Sequence, residues 1–236
     1  MPPREQDKVV IERATTPRGE LQLQRRLIPG QEKHVYEIIF NGVFLMASYN
    51  ERSEKALAAL AIEPLASVRK GLRVLIGGLG MGHTLRAALD FEEVQVVEIA
   101  EIEEYIIRWA RGIFSGLNGR ACADPRVGLM EMDFGDYVFG TDKDYDAIIL
   151  DVDNGPAWLA LEGNRRLYER QTLIRIRELL SGGGVFTVWA AERSEAFERK
   201  LEEIFEQAET ITVEDYDIRG QHTEYYIYRA QRFMAL

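Results

Sequence analysis

The chain has little cysteine, histidine or proline and no long apolar run, and each scarcity removes a class of protein. One cysteine, Cys122, among 236 residues leaves no internal disulfide framework and no cysteine-based zinc site. The histidines His34, His83 and His222 lie far apart and show no metal-ligand spacing, so no metal is expected. No stretch of about 18 apolar residues is present to cross a bilayer, and no membrane partner is expected. The first ten residues lack the apolar core of a secretory signal, and a cytoplasmic location is expected. Basic residues are outnumbered, 29 Lys and Arg against 39 Asp and Glu, for a net charge of −10. Nucleic acids and anionic surfaces select for clustered Lys and Arg, so neither is an expected partner. A 46% hydrophobic content excludes a wholly disordered chain. The length suits one α/β domain, alone or with a small appendage.

Residues 1–50 read as a small antiparallel β unit. Turns are expected at Thr16-Pro17-Arg18-Gly19, at Pro29-Gly30 and at Asn41-Gly42, the last between two apolar runs, which is the strongest short hairpin signal. Residues 51–236 form the second division. Leu57, Leu60, Ala61 and Leu65 recur at helical spacing, with Asn50 or Ser53 as N-cap and Pro64 weakening the last turn. From residue 72 strands alternate with helices: strands over 73–76, 94–98, 127–132, 146–151 and 185–189, helices near 83–90, 101–115, 164–180 and 194–207. The pattern predicts an α/β fold with a doubly wound, mainly parallel, Rossmann-like seven-stranded sheet. It closes on an antiparallel C-terminal hairpin, near 209–218 and 223–230, joined at Arg219-Gly220-Gln221.

The first α/β strand runs into Gly77-Gly78-Leu79-Gly80-Met81-Gly82-His83. Glycines there let the backbone approach a ligand that faces the following helix N-terminus. Gly78, Gly80, Met81 and Gly82 are therefore cofactor-binding candidates. The loop departs from the dinucleotide fingerprint, which disfavours a dehydrogenase and suits a nucleoside bearing a sulfonium side chain. Ligands of open parallel sheets bind outside the carboxyl ends of the strands. The second strand is expected to end at Glu98, placed to accept hydrogen bonds from ribose hydroxyls. Glu101, Glu103 and Glu104 would solvate a helix face. The third strand ends at Asp133, either a partner of the adenine amine or a helix N-cap, with Phe134 beside it in the same set. The fourth ends at Asp151-Val152-Asp153-Asn154-Gly155-Pro156. Asp151 would face both cofactor and substrate, to orient or deprotonate a nucleophile together with Asp153. Turn chemistry is the alternative reading of that loop.

These motifs, in this order, resemble the spermidine synthase family, within the class I AdoMet-dependent methyltransferases. The resemblance covers nearly the whole chain and rests most specifically on Asp124-Pro125-Arg126-Val127 and on Tyr145-Asp146-x-Ile148-Ile149-x-Asp151. It implies a doubly wound sheet, a homodimer, ribose on Glu98, adenine on Asp133, and Asp151 at the nucleophilic amine. Its donors are S-adenosylmethionine or its decarboxylated form.

The departures bear on the reaction. Met81 stands where the family has the aspartate that holds the donor's aminopropyl ammonium. The family's Asp-Glu…Tyr-His-Glu helix start reads Asn50-Glu51-Arg52-Ser53-Glu54-Lys55-Ala56 here. A diamine needs carboxylates at both ends, since an unpaired buried charge is costly, and the sequence does not visibly supply them. Methyl transfer from AdoMet to a small acceptor, possibly an amine, is therefore slightly favoured over aminopropyl transfer. A non-catalytic nucleoside-binding protein is a further alternative. Trp158 and Tyr168 are candidates for the acceptor pocket, with the core as the alternative for Trp158. Trp109 and Trp189 are assigned to the core and His83 to a surface helix start.

Overall fold

The computed structural model describes residues 8–27, 34–49, 51–216 and 222–233. Strands β1 (Lys8–Thr16), β2 (Gly19–Leu27), β3 (His34–Phe40) and β4 (Val43–Ala47) form an antiparallel sheet in the order 1-2-3-4. Asn41 and Gly42 both have positive φ, 49° and 79°, as a tight hairpin turn requires. Helix α1 (Arg52–Ala66) buries Leu57, Ala58, Ala61, Ile62 and Leu65 along one face. It continues two residues past Pro64. Ser53 lies inside the first turn rather than capping it. Pro29-Gly30, Asn50 and the Arg219–Gln221 joint fall outside the described residues.

The second sheet has seven strands, β5 (Leu72–Gly77), β6 (Val94–Glu101), β7 (Val127–Glu131), β8 (Tyr145–Leu150), β9 (Leu180–Ala190), β10 (Gln207–Tyr216) and β11 (His222–Gln231). Their order is β10-β11-β9-β8-β5-β6-β7. β5 to β9 are parallel, and β11 runs antiparallel to both β9 and β10. Helices α2 (His83–Leu89), α3 (Glu104–Arg111), α4 (Phe134–Gly140), α5 (Arg170–Leu179) and α6 (Glu195–Ile204) connect the strands. The helix expected over 164–180 is divided: Glu162–Tyr168 is a 3₁₀ segment and α5 begins at Arg170.

The small sheet has no separate core. Leu21, Leu23, Ile38 and Phe40 belong to the same buried cluster as Leu57 and Ile62 of α1 and Val74 and Ile76 of β5. Tyr137, Leu173, Ile176 and Phe197 help to cover the other face. Strand order reverses between β5 and β8, so the chains leaving these two strands diverge and open a cleft under the small sheet.

Candidate active site

The glycine loop is shaped by contact with the chain leaving β8. Gly78 has φ of 86°, and a Cβ there would come within 2.1 Å of the Asp151 carbonyl oxygen. Gly80, at φ of 52°, has its Cα hydrogen directed at Met46 of β4. Both glycines line a cavity of about 310 Å³ between the sheets. Met81 and Gly82 turn the other way. The Met81 side chain is fully buried in the core, its carbonyl accepts from Asn118 Nδ2, and Gly82 packs on the same asparagine. Neither lines the cavity.

The acid of β6 is three residues further on than expected. The strand does not end at Glu98: Leu75 pairs with Glu98, Gly77 with Ala100, and β6 runs to Glu101. Glu98 lies outside the cavity lining. It accepts from Lys143 Nζ at 2.6 Å and from the Tyr145 hydroxyl at 2.7 Å. Burial pushes its carboxyl up, but the Lys143 and Tyr145 hydrogen bonds and the charges of Lys143 and Arg73 bring it net below the usual range. Glu101 is the carboxylate at the cavity. It is buried, and it accepts from the Leu79 backbone N–H at 2.9 Å and the Glu103 N–H at 2.8 Å. Burial raises its pKa. Glu103, expected on a solvated face, is also buried and lines the cavity; Arg18 Nε holds it at 2.6 Å. The end of β6 follows from its register with β5, in which Gly77 pairs with Ala100, and that pairing is not visible in the linear sequence.

Asp133 and Phe134 both line the cavity. Asp133 also caps α4, accepting from the Asp136 N–H at 3.0 Å, and pairs with Arg166 at 2.5 Å, both through Oδ1. The N-cap reading and a cavity position therefore coexist. Asp151 lines the cavity, and its Oδ2 accepts from the Thr84 hydroxyl at 2.5 Å. Burial pushes its pKa up to about 6 against the restraint of that hydrogen bond. Asp153, at φ of 60°, is committed to its loop. It accepts from the backbone of Asn154, Ala160 and Leu161 and from Asn164 Nδ2, at 2.5–3.0 Å. Turn chemistry describes it better than a catalytic role.

Glu54 is the site residue that sequence reasoning passed over. It sits in the first turn of α1, only 6% exposed, and lines the cavity. Burial, reinforced by the charge of Asp151, pushes its pKa up to about 8. Its carboxylate accepts from the Ser53 hydroxyl at 2.9 Å. Trp189, assigned to the core from sequence, also lines the cavity, as does the half-exposed Trp158 at its rim. Tyr168 does not; it is buried, and its hydroxyl donates to the Val152 carbonyl. Trp109 is in the core. His83 is buried, not at the surface, 3.8 Å from Glu51, and burial lowers its pKa.

The cavity thus has one apolar wall, from Leu21, Ile38, Phe40, Leu45 and Met46 of the small sheet, and an acidic floor. Among the described residues its lining holds Glu54, Glu101, Glu103, Asp133, Asp151 and Asp153, and no Lys, Arg or His. Among the same residues, no group of three or more His, Cys, Asp or Glu is placed to hold a metal ion.

The chain is 28% identical over 177 residues to a polyamine aminopropyltransferase of Prochlorococcus marinus, covering 74% of this chain and 58% of that one. It is 33% identical over 125 residues to putrescine N-methyltransferase 2 of Nicotiana attenuata, covering 52% of this chain and 32% of that one. It thus spans somewhat over half of the first relative and a third of the second. The fold matches a crystal structure of spermidine synthase in complex with the transition-state analogue AdoDATO. There the TM-score is 0.77 at 17% identity, over 96% of this chain and 74% of that one. Residues 57–216 match the spermine/spermidine synthase domain model, and the chain belongs to that family.

Proposed function

We propose that the protein is an aminopropyltransferase that uses decarboxylated S-adenosylmethionine as donor and a small amine as acceptor. The observation that carries this reading is the cavity lining, which among the described residues holds six carboxylates and no cationic side chain. Glu103 and Asp133 are paired with Arg18 and Arg166 behind the lining, but Glu54 and Asp151 have no cationic partner among the described residues. Such a site favours a ligand that brings positive charge, because a buried carboxylate without a counter-charge is costly. The decarboxylated donor ends in an ammonium. Intact S-adenosylmethionine adds a carboxylate at the same end, which would meet like charges with no partner. Met81 had favoured methyl transfer by removing the family's loop aspartate. Its side chain lies in the core, and Glu54 supplies a carboxylate that the linear sequence did not place.

In this reading Glu101 binds the ribose hydroxyls and Asp133, through Oδ2, the adenine amine, with Phe134 against the base. Asp151 orients the acceptor. Its nitrogen lone pair attacks the carbon beside the sulfonium. The carbon–sulfur bond breaks, its electron pair goes to sulfur, and methylthioadenosine leaves. The protein contributes alignment and exclusion of water more than covalent chemistry. A homodimer belongs to the same reading and is testable by light scattering.

Methyl transfer is the second reading, favoured by the similarity to the Nicotiana enzyme. Incubation with each donor and a panel of mono- and diamines discriminates the two. Methylthioadenosine from the decarboxylated donor is the expected product. S-adenosylhomocysteine from the intact donor would support methyl transfer instead. Calorimetry showing no binding of either donor would leave only a non-enzymatic role.

A further inference from the structure

We propose that Glu54 is a second catalytic carboxylate, which contacts the acceptor ammonium opposite Asp151 and takes its proton before attack. This rests on the aminopropyl-transfer reading above. Three observations carry it. Glu54 and Asp151 come from different elements, α1 and the end of β8, yet line one cavity, and the charge of Asp151 acts on Glu54. Among the described residues, no Lys, Arg or His lines the cavity beside them. The elements packed on α1 present Thr84 and His83 from α2, Trp189 from β9, Asp215 from β10 and Tyr225 from β11. His83 and Lys55 are both directed to Glu51. Asp215 is 4% exposed with Oδ2 unpartnered, and its charge also acts on Glu54. Finally, the two acids are held differently. Thr84 donates a 2.5 Å hydrogen bond to Asp151, which stabilises that anion. Glu54 is held by its own backbone N–H and the Ser53 hydroxyl and is the more basic of the two.

An alkyl ammonium has a pKa of about 10.4 and no lone pair to donate. One proton must leave it. That proton passes to the Glu54 carboxylate, giving a neutral carboxylic acid and a free amine. The amine nitrogen then forms its new bond to carbon as the carbon–sulfur bond breaks. Glu54 returns the proton to solvent when product leaves. A base whose pKa lies near the working pH suits this task.

The test is Glu54→Gln, with Glu54→Asp as the conservative rescue, assayed for methylthioadenosine release from pH 6 to 9. Glu54→Gln should lower kcat by roughly 100-fold or more and leave methylthioadenosine affinity within threefold of wild type. The acid limb of kcat/KM should move to lower pH, because the group that titrates near 8 is gone and Asp151, near 6, remains. Glu54→Asp should recover part of kcat. Thermal melting of both variants checks folding, and Glu54→Asp keeps the question answerable if Glu54→Gln does not fold. An active wild type whose Glu54→Gln variant matches it in kcat and pH profile would overturn the role of Glu54 alone. A wild type that forms no methylthioadenosine with any amine would overturn the underlying reading, and this inference with it.

Discussion

Exchanging Glu98 and Glu101 for glutamine tests the register of β6, on which the placing of the nucleoside depends. Glu101 is buried, and its two oxygens fix the N–H groups of Leu79 and Glu103, so the lone pairs left over point from a rigid position. Glu101→Gln keeps the shape but turns an –NH2 toward one backbone N–H and removes one charged acceptor. A hydrogen bond to a charged group contributes about 1.5–3 kcal/mol, so methylthioadenosine affinity should fall roughly 10- to 150-fold. Glu98→Gln removes an ion pair whose lysine is 51% exposed. That pair contributes at most about 1 kcal/mol to stability and should leave nucleoside affinity unchanged. Isothermal calorimetry with methylthioadenosine on both variants measures the contrast. A tenfold loss in Glu98→Gln with wild-type affinity in Glu101→Gln would refute the register argument.

Three further outcomes are expected. Gly78→Ala places a methyl group 2.1 Å from the Asp151 carbonyl at a positive φ; the strained residue alone costs about 1–2 kcal/mol, and the loop must shift, so melting temperature and donor binding should both drop. Arg18→Ala leaves the buried Glu103 with only the Thr16 hydroxyl among its side-chain partners; an expected loss of about 1–3 kcal/mol would lower the melting temperature by roughly 2–4 °C per kcal/mol. Without ligand, Glu54 holds its proton in the folded state up to about pH 8 but gives it up near 4.5 when unfolded. The folded state binds more protons across that window, so this group's contribution to stability falls as pH rises. Glu54→Gln lacks that decline, and its stability relative to wild type should grow between pH 5 and 8 in urea titrations.

Much of the fold was legible because its signals are local. Asn41-Gly42 specified its hairpin through two positive φ values, and the alternation of strands and helices after residue 72 specified the parallel sheet. The end-of-strand acids Asp133 and Asp151 followed from the same alternation. What was not legible depended on contacts between elements. The end of β6 is set by pairing with β5, so a count along the chain stopped at Glu98 when the cavity acid was Glu101. Met81 follows the cavity glycines Gly78 and Gly80 in sequence, yet the left-handed glycines on either side of it turn its side chain into the core. Trp189 and Glu54 reach the cavity only because α1 packs across β8, β9 and β10. The sequence assigns Glu54 no role of its own within the helix start 50–56, and its burial is a tertiary fact. Asp153 illustrates the converse. Its turn chemistry was visible in composition, and four hydrogen bonds make that the better description.

The central claim is that a cavity whose charged lining residues, among those described, are all acidic selects a donor ending in an ammonium without a carboxylate. Calorimetric titration of the wild-type protein with S-adenosylmethionine and with its decarboxylated form, in the same buffer at pH 7.5, tests it most directly. The decarboxylated donor should bind at least about tenfold more tightly, a difference of about 1.4 kcal/mol. Equal affinity, or tighter binding of intact S-adenosylmethionine, would contradict the claim.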